Sequence, residues 1–589
     1  MSYPLQYFRL AIGNTDSNII ASGNSLSPSY MTGSINEKWH LNFVQANVFL
    51  LINALNNLVM KANNEKVSLE SIQSYSDPDE DYLWTIEGVE NDYDGYALYY
   101  RILNNGDASK ALTYEKNLGF LLKEYIGGIY QKFKINLDGL EGFAANCKTK
   151  SGEKAGTIGG LFGQVVEVTT DEELKNALNS DGPRTIVLKA NIDMKSHKHT
   201  RIRDFKTLVG SYEYHTLYDP HFRTNNEYGI EGDEPSDNIV FRNLEMESRS
   251  EKGRILINIW SSRQIWIDHI NFKCSLEYDR KGNGQDEVGK FIWLNTPYES
   301  YMDKKDRLRS IDYITISYCK FSNRYWTVAY GTQNDEITRD RTTLLYNWWY
   351  QNVRRCPQLG NGIMHVYNNY YEAFGVEDNN RDTSGIIGGD GSEIVSQNNM
   401  FNGYTKGQAL MMGGNDINPC RDDNSLISNE LDGTPEEINF EPKKISEWYP
   451  NATNYGYSLL DAINTNNLDT KSFCMKYAGC FDSQEGIKYI TDEDLANWPS
   501  IKYNSPFLEH IELTEPTEHI EPKESTEHAE HSEPTEHIEN SEHVEPTGRT
   551  EPIENNEHTD FAETKKGNSR RAEFNIYLYL LFHLFVFLS

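Results

Sequence analysis

Asp268 and His269 stand side by side, and a carboxylate beside an imidazole is the pairing that most often moves a proton near neutral pH. The pairing tempts a reading as a catalytic dyad. The seven cysteines (Cys147, Cys274, Cys319, Cys356, Cys420, Cys474 and Cys480) include no Cys-x-x-Cys pair, so zinc and thioredoxin-like chemistry find no support. Cys474 and Cys480 are close enough for a local disulfide in an oxidising compartment, with buried free thiols as the alternative. Tyr (37) and Phe (24) are abundant while only 38% of residues are hydrophobic, a mix that suits half-buried strands and an aromatic surface able to stack on sugar rings. The formal charge of -32 and the absence of a basic stripe argue against nucleic acid as a partner.

The elements that must hold these residues repeat. Six segments align without gaps, starting at Ile239, Ile265, Ile314, Thr343, Met364 and Ile394 and ending at Met246, Phe272, Phe321, Tyr350, Tyr371 and Phe401. Their first, third and eighth columns are mostly apolar, and the fifth reads Asn243, His269, Tyr318, Asn347, Asn368 and Asn398. In a solenoid each inward residue stacks on the same position of the next coil, so apolar columns make a continuous core. A column of Asn can bond its amides to the backbone of neighbouring bends. An antiparallel sandwich gives no reason for such a column. The expected fold is all-β, a right-handed parallel β-helix over residues 151–508. His269 fills the Asn column, so it and Asp268 read as wall residues rather than a catalytic dyad.

Ahead of the solenoid, residues 1–150 carry three similar units at a spacing of 45 to 49 residues. Each ends in a strand with a large aromatic: Glu37-Lys38-Trp39, Tyr82-Leu83-Trp84 and Gln131-Lys132-Phe133. This resembles the ricin B-type β-trefoil lectin with its Gln-x-Trp signature, although only the third unit keeps the Gln and it has lost the Trp. The resemblance implies a β-trefoil whose triplet aromatics are core. It also implies a carbohydrate ligand such as a plant cell-wall glycan, with an inert spacer as the competing reading.

The middle region is similar to polysaccharide lyase family 1, the pectate and pectin lyases. The resemblance rests on Gly156-Thr-Ile-Gly-Gly-Leu-Phe-Gly163, on Trp266-Ile-Asp-His269, and on Arg355-Cys-Pro357 followed by His365-Val-Tyr-Asn-Asn-Tyr-Tyr371. It implies cleavage of pectin (homogalacturonan) by β-elimination, in which a base takes the C5 proton and the C4 oxygen leaves. The implied base is Arg355. Aligned to the family, the calcium-binding Asp positions fall on Ile255, Gly289 and Trp293, and another register pairs Asp286 with Lys290. The family's active-site Lys falls on Trp326 and its second Arg on Gly360. Hard cations need several oxygen ligands, and Ile, Gly and Trp side chains supply none. Three readings stay open: a pectin lyase that needs no calcium, a calcium-dependent pectate lyase with relocated ligands, and a pectin-binding adhesin without catalysis. Trp260, Trp293 and Trp326, with Arg324 and Lys290, are the expected substrate contacts.

From Glu509 to Glu557 a Glu occupies every third position except Gly548, and residues 509–560 carry sixteen Glu and Asp560 against Lys523 and Arg549. That composition reads as a disordered acidic stalk, and its seven His as solvated rather than metal-binding. Residues 567–589 pair small residues with the apolar run Phe574 to Ser589, which looks like a glycolipid-anchor signal, the one expected contact with a membrane. An extracellular, surface-anchored protein is expected, with a leader missing from this sequence and a glycosylation acceptor at Asn451-Ala452-Thr453.

Overall fold

The computed structural model describes residues 3–487 and 489, apart from 14, 16, 31, 92–96, 149–153, 197–198, 226–234, 250–253, 275–288, 297–310, 333–340, 353, 361, 373–383, 390–391, 404–408, 413–419, 429–432 and 439–468. The acidic repeat, the apolar terminus, Asn451 and Asp286 lie outside the described residues.

From Gln164 onward the chain winds through three parallel sheets, the coils between the first and the last giving one strand to each. Sheet I runs from Gln164–Val168 to Cys420–Asp423, sheet II from Ile192–Asp193 to Leu426–Ser428, and sheet III from Thr200–Arg201 to Leu410–Met412. This is a parallel β-helix. Its N-terminal end is plugged by the helix Asp171–Leu178, which starts from a capping box between Thr170 and Glu173 and turns Leu174, Ala177 and Leu178 onto the first coil.

The coil-on-coil register explains the columns and corrects one of them. Thr342, not Thr343, lies beside Ile314, so the fourth segment is displaced by one residue. Its fifth-column residue is then Tyr346, and Asn347 moves to the sixth. The fifth column is where sheet I bends into sheet II. Asn243, His269, Tyr318, Tyr346, Asn368, Asn398 and Asn424 all have φ between 49° and 60° there. Left-handed backbone costs most residues roughly 1–2 kcal/mol and Asn less, which accounts for the Asn bias of that column. The amide ladder runs through the sixth column instead. Asn347 Nδ2 donates to Asn369 Oδ1 at 2.9 Å, and Asn369 Nδ2 donates to Asn399 Oδ1 at 3.0 Å. Asn347 also donates to the Ile316 carbonyl and accepts from the Cys319 amide. The corrected eighth column is an inward aromatic stack. Phe272, Phe321, Trp349, Tyr371 and Phe401 follow one another at 4.9, 4.3, 5.6 and 4.4 Å between ring centres.

The first 137 residues form twelve antiparallel strands. Six close a ring: Phe8–Ile12, Trp39–Gln45, Val48–Asn53, Trp84–Asn91, Ala97–Asn104 and Phe133–Leu137, with Phe8 pairing both Trp39 and Leu137. The other six make three hairpins joined at Ser25↔Ser68 and Leu121↔Lys66. Short 3-10 turns precede Trp39, Trp84 and Phe133, whose rings are buried in the ring's core. Trp39 Nε1 donates to the Ile19 carbonyl and Trp84 Nε1 to that of Met60, so two of the three aromatics also tie a hairpin to the ring.

This N-terminal region is packed on sheet I. Asn238 Oδ1 accepts the Ile158 and Gly159 amides at 2.8 and 2.7 Å, and Thr315 and Thr343 hydroxyls accept those of Ala144 and Phe143. Val240 and Trp266 project from sheet I into the same apolar cluster as Trp39 and Trp84. Gly142, with φ of 70°, lies so close to Thr343 that a Cβ would come within 2.6 Å of it. A short helix, Thr470–Tyr477, then covers the bend, setting Phe473 against Tyr318 and Tyr346. Cys474 and Cys480 form no disulfide. The Cys474 thiol donates to the Asn368 carbonyl, and Cys480 sulfur accepts from Asn271.

A candidate active site on sheet III

With sheet I covered, sheet III offers an outer face. Phe222, Ile257, Ile292 and Val328 align across neighbouring coils and point into the core. Alternation sends the next residues the other way, so Arg223, Asn258, Trp293 and Ala329 share a row. Gln358 continues it.

Four side chains meet at this face. The Arg355 guanidinium lies 4.0 Å from the Trp326 ring centre, and Lys290 Nζ lies 5.1 Å from that ring and 4.8 Å from Trp293. Arg355 has left-handed backbone, φ 61°, held by its carbonyl accepting the Val328 amide and by the Cys356 amide reaching Gly385. A non-glycine residue in that conformation is strained, and such strain collects at functional sites. Lys290 is set by its neighbours: its carbonyl accepts the Leu256 amide, and Gly289 before it has no room for a Cβ, which would fall 2.1 Å from the Arg254 carbonyl.

The electrostatics of the pair follow from burial among like charges. Lys290 is pushed down to about 7, first by burial and then by Arg355 and Arg324. Arg355 is pushed down to about 10 by burial and then by Arg354, with Tyr325 opposing.

Two expected contacts belong beneath the surface instead. Arg324 is 0% exposed, and its guanidinium donates to the carbonyls of Gly289 (3.2 Å) and Arg254 (2.9 Å). It braces the segment that carries Lys290, these carbonyl oxygens being among the partners a buried cation needs. Trp260 is 3% exposed and stands edge-on behind Trp293 at 6.0 Å. It supports the wall without forming it. Trp326, 8% exposed, is the floor under Arg355. Of the five expected contacts, Lys290 and Trp293 keep partial exposure at this face.

Sequence reasoning missed Arg223, Asn258 and Asn295. Arg223 Nη2 donates to Asn225 Oδ1 at 3.2 Å and its guanidinium lies 5.9 Å from the Trp260 ring. The side-chain carbonyls of Asn258 and Asn295 are buried with no hydrogen-bond partner among the described residues. No motif flags them. The signal is the row they share with Trp293 and Trp260, which requires the coil register.

The Asp268–His269 pair sits far from solvent in sheet I. Asp268 accepts from Ser317 Oγ at 2.8 Å and from the Tyr489 hydroxyl at 2.6 Å, with Arg242 Nε at 3.6 Å. His269 Nδ1 approaches it to 2.9 Å without hydrogen-bond alignment, and the imidazole stacks on Tyr318 at 4.7 Å. Both side chains are sealed, which leaves them a structural role.

The calcium that the family resemblance implies does not fit this face as described. The face carries Lys290, Arg355 and three indoles, with the Asn258 and Asn295 side-chain carbonyls as neutral oxygens, and among the described residues no three His, Cys, Asp or Glu gather closely enough to hold a metal ion. Two cations repel a third, and the indoles offer no oxygen.

The chain is similar to known proteins over this region. A family model described as pectate lyase matches residues 131–481. A pectin lyase of Bacillus subtilis is 29% identical over 352 residues, covering 58% of this chain and 88% of that protein. A pectate trisaccharide-lyase of Thermotoga maritima is 26% identical over 233 residues, covering 37% and 53%. Among solved structures, a thermostable pectate lyase overlays at a TM-score of 0.43 with 18% identity, covering 58% of this chain and 97% of that one. A Bacillus pectate lyase in complex with trigalacturonate gives 0.37 and 21%, covering 58% and 99%. Matched by the family model over more than half of its length, the chain belongs to the pectate lyase family.

Proposed function

We propose that this protein is a polysaccharide lyase that cleaves pectin by β-elimination, outside the cell, without calcium. One observation carries the reading: Arg355 and Lys290 converge over Trp326 at the outer face of sheet III. Removal of the C5 proton leaves negative charge on the adjacent carboxyl group, and fixed cations in a partly desolvated site stabilise that charge strongly. The family resemblance gives Arg355 the role of base. Trp293 provides a flat apolar wall for a sugar ring.

The same proposal reads the N-terminal ring and hairpins as a ricin B-type β-trefoil that docks on cell-wall glycan. Its support is the threefold pattern of Trp39, Trp84 and Phe133, with Gln131 keeping a buried side chain that bonds Thr113 and the Glu124 carbonyl.

A pectin-binding protein without catalysis is the second reading. It is favoured by Trp326 and Gly360 standing where the family has its Lys and second Arg. Incubation with methyl-esterified pectin and chelator separates the two. The lyase reading expects absorbance of an unsaturated uronate to accumulate. Pectin retention with no such product supports the binding protein. Activity abolished by chelator supports a calcium enzyme.

A further inference from the structure

A β-elimination at neutral pH needs a group with an available lone pair, and a guanidinium beside solvent does not offer one. Lys290 does. Its amine shares the Trp326 face with Arg355 and is flanked by Trp293, so the two cations border the same patch of surface. Among the described residues the charged groups acting on Lys290 are Arg355 and Arg324, both cationic, and no carboxylate pairs with it. Arg354 and Tyr325 act on Arg355. Asp286 and Glu287, just before Lys290 in sequence, lie outside the described residues.

We infer that Lys290 is the catalytic base and that Arg355 stays protonated to hold the charge formed on the substrate, the substrate being a methyl-esterified galacturonan. This rests on the lyase reading above and reverses the roles that the family resemblance suggests. The Lys290 amine takes the C5 proton, the C5–H electron pair becomes the C4=C5 double bond, and the C4–O bond breaks. The departing oxygen takes a proton from water and becomes the new reducing end. Lys290 then returns its proton to the resulting hydroxide, and no other reactant is consumed.

Protonation order supports this assignment. Lys290 is held near 7 and Arg355 near 10, so between those values the first is largely neutral and the second charged. The ester preference follows from the same balance. A free carboxylate beside Lys290 favours its ammonium form and removes the base, whereas a methyl ester leaves the amine neutral.

The decisive experiment measures kcat and KM against pH on highly methylated pectin and on polygalacturonate. The enzymes are the full-length wild type, Lys290→Arg, Lys290→Ala with and without methylamine, and Arg355→Lys. Wild-type kcat is expected to rise through about pH 7 on the ester, with the limb displaced upward on polygalacturonate. Lys290→Arg keeps a charge but has no neutral form, and is expected to lose roughly 100- to 10,000-fold in kcat with little change in KM. Methylamine is expected to restore part of the Lys290→Ala rate, and Arg355→Lys to keep the limb near 7. Wild-type activity carried over unchanged into Lys290→Arg overturns the inference, as does a limb near 10 that vanishes in Arg355→Lys. Absence of product from the wild type on both polymers overturns the lyase reading itself.

Discussion

Two buried groups of titratable residues lie on different walls of the same solenoid, and they are built on opposite principles. On sheet I, Asp268 is surrounded by Ser317, Tyr489 and Arg242, with His269 stacked on Tyr318. Asp268 is matched by two donors and a nearby cation, whereas neither His269 nitrogen has a hydrogen-bond partner among the described residues, and the Tyr489 ring packs against the imidazole. On sheet III, Lys290 lies among the like charges of Arg355 and Arg324, and no carboxylate among the described residues opposes them at its amine. Matched burial strengthens a fold. Unmatched like charges weaken it and are retained where a perturbed proton affinity is useful. Asp268 and His269, read from the sequence as wall residues, sit buried in sheet I, and Arg355, the base that the family resemblance implies, shares its face with Lys290.

The largest expected effect breaks the matched side. Asp268→Ala strands Arg242 and the Tyr489 hydroxyl in the interior and is expected to cost about 3–5 kcal/mol of stability. Denaturant unfolding would show this, while turnover per folded molecule stays near wild type. A smaller loss is expected for Asn369→Ala, which interrupts the ladder between Asn347 and Asn399 and leaves buried backbone carbonyls of Leu344 and Tyr367 without their donor. Roughly 1–3 kcal/mol is expected by the same measurement.

The smallest effect has the opposite sign and sharpens the contrast. Lys290 has a folded-state proton affinity below that of the unfolded chain, so its charge opposes folding in full below about pH 7. That penalty shrinks as pH rises towards the ordinary lysine value. Lys290→Met is therefore expected to be more stable than wild type at pH 6, by on the order of 1 kcal/mol for a side chain that keeps partial exposure. The gap should close in thermal melts at higher pH.

Much of the solenoid is legible in the residues because each coil repeats the same physical demands. Ile314, Ile316 and Phe321 recur as inward positions, and Asn at the bend reports left-handed backbone. The fourth coil misleads because Thr342 and Thr343 both fit the first column. One residue of slip exchanged Tyr346 with Asn347 and Trp349 with Tyr350, and with them the ladder and the aromatic stack. The site was less legible. Arg324 and Lys290 are both cations near the same strands, and charge alone does not tell which one finds carbonyl partners inside. Trp260, Trp293 and Trp326 are one residue type in three settings, separated by coil register rather than by any local pattern.

The most direct test compares Arg355→Ala with Asp268→Asn for unsaturated product formed from methyl-esterified pectin, normalised to folded protein. A roughly 100- to 1,000-fold loss in Arg355→Ala, with Asp268→Asn close to wild type, is the result expected if sheet III carries the chemistry. Full turnover by Arg355→Ala, or a collapse confined to Asp268→Asn, would contradict it.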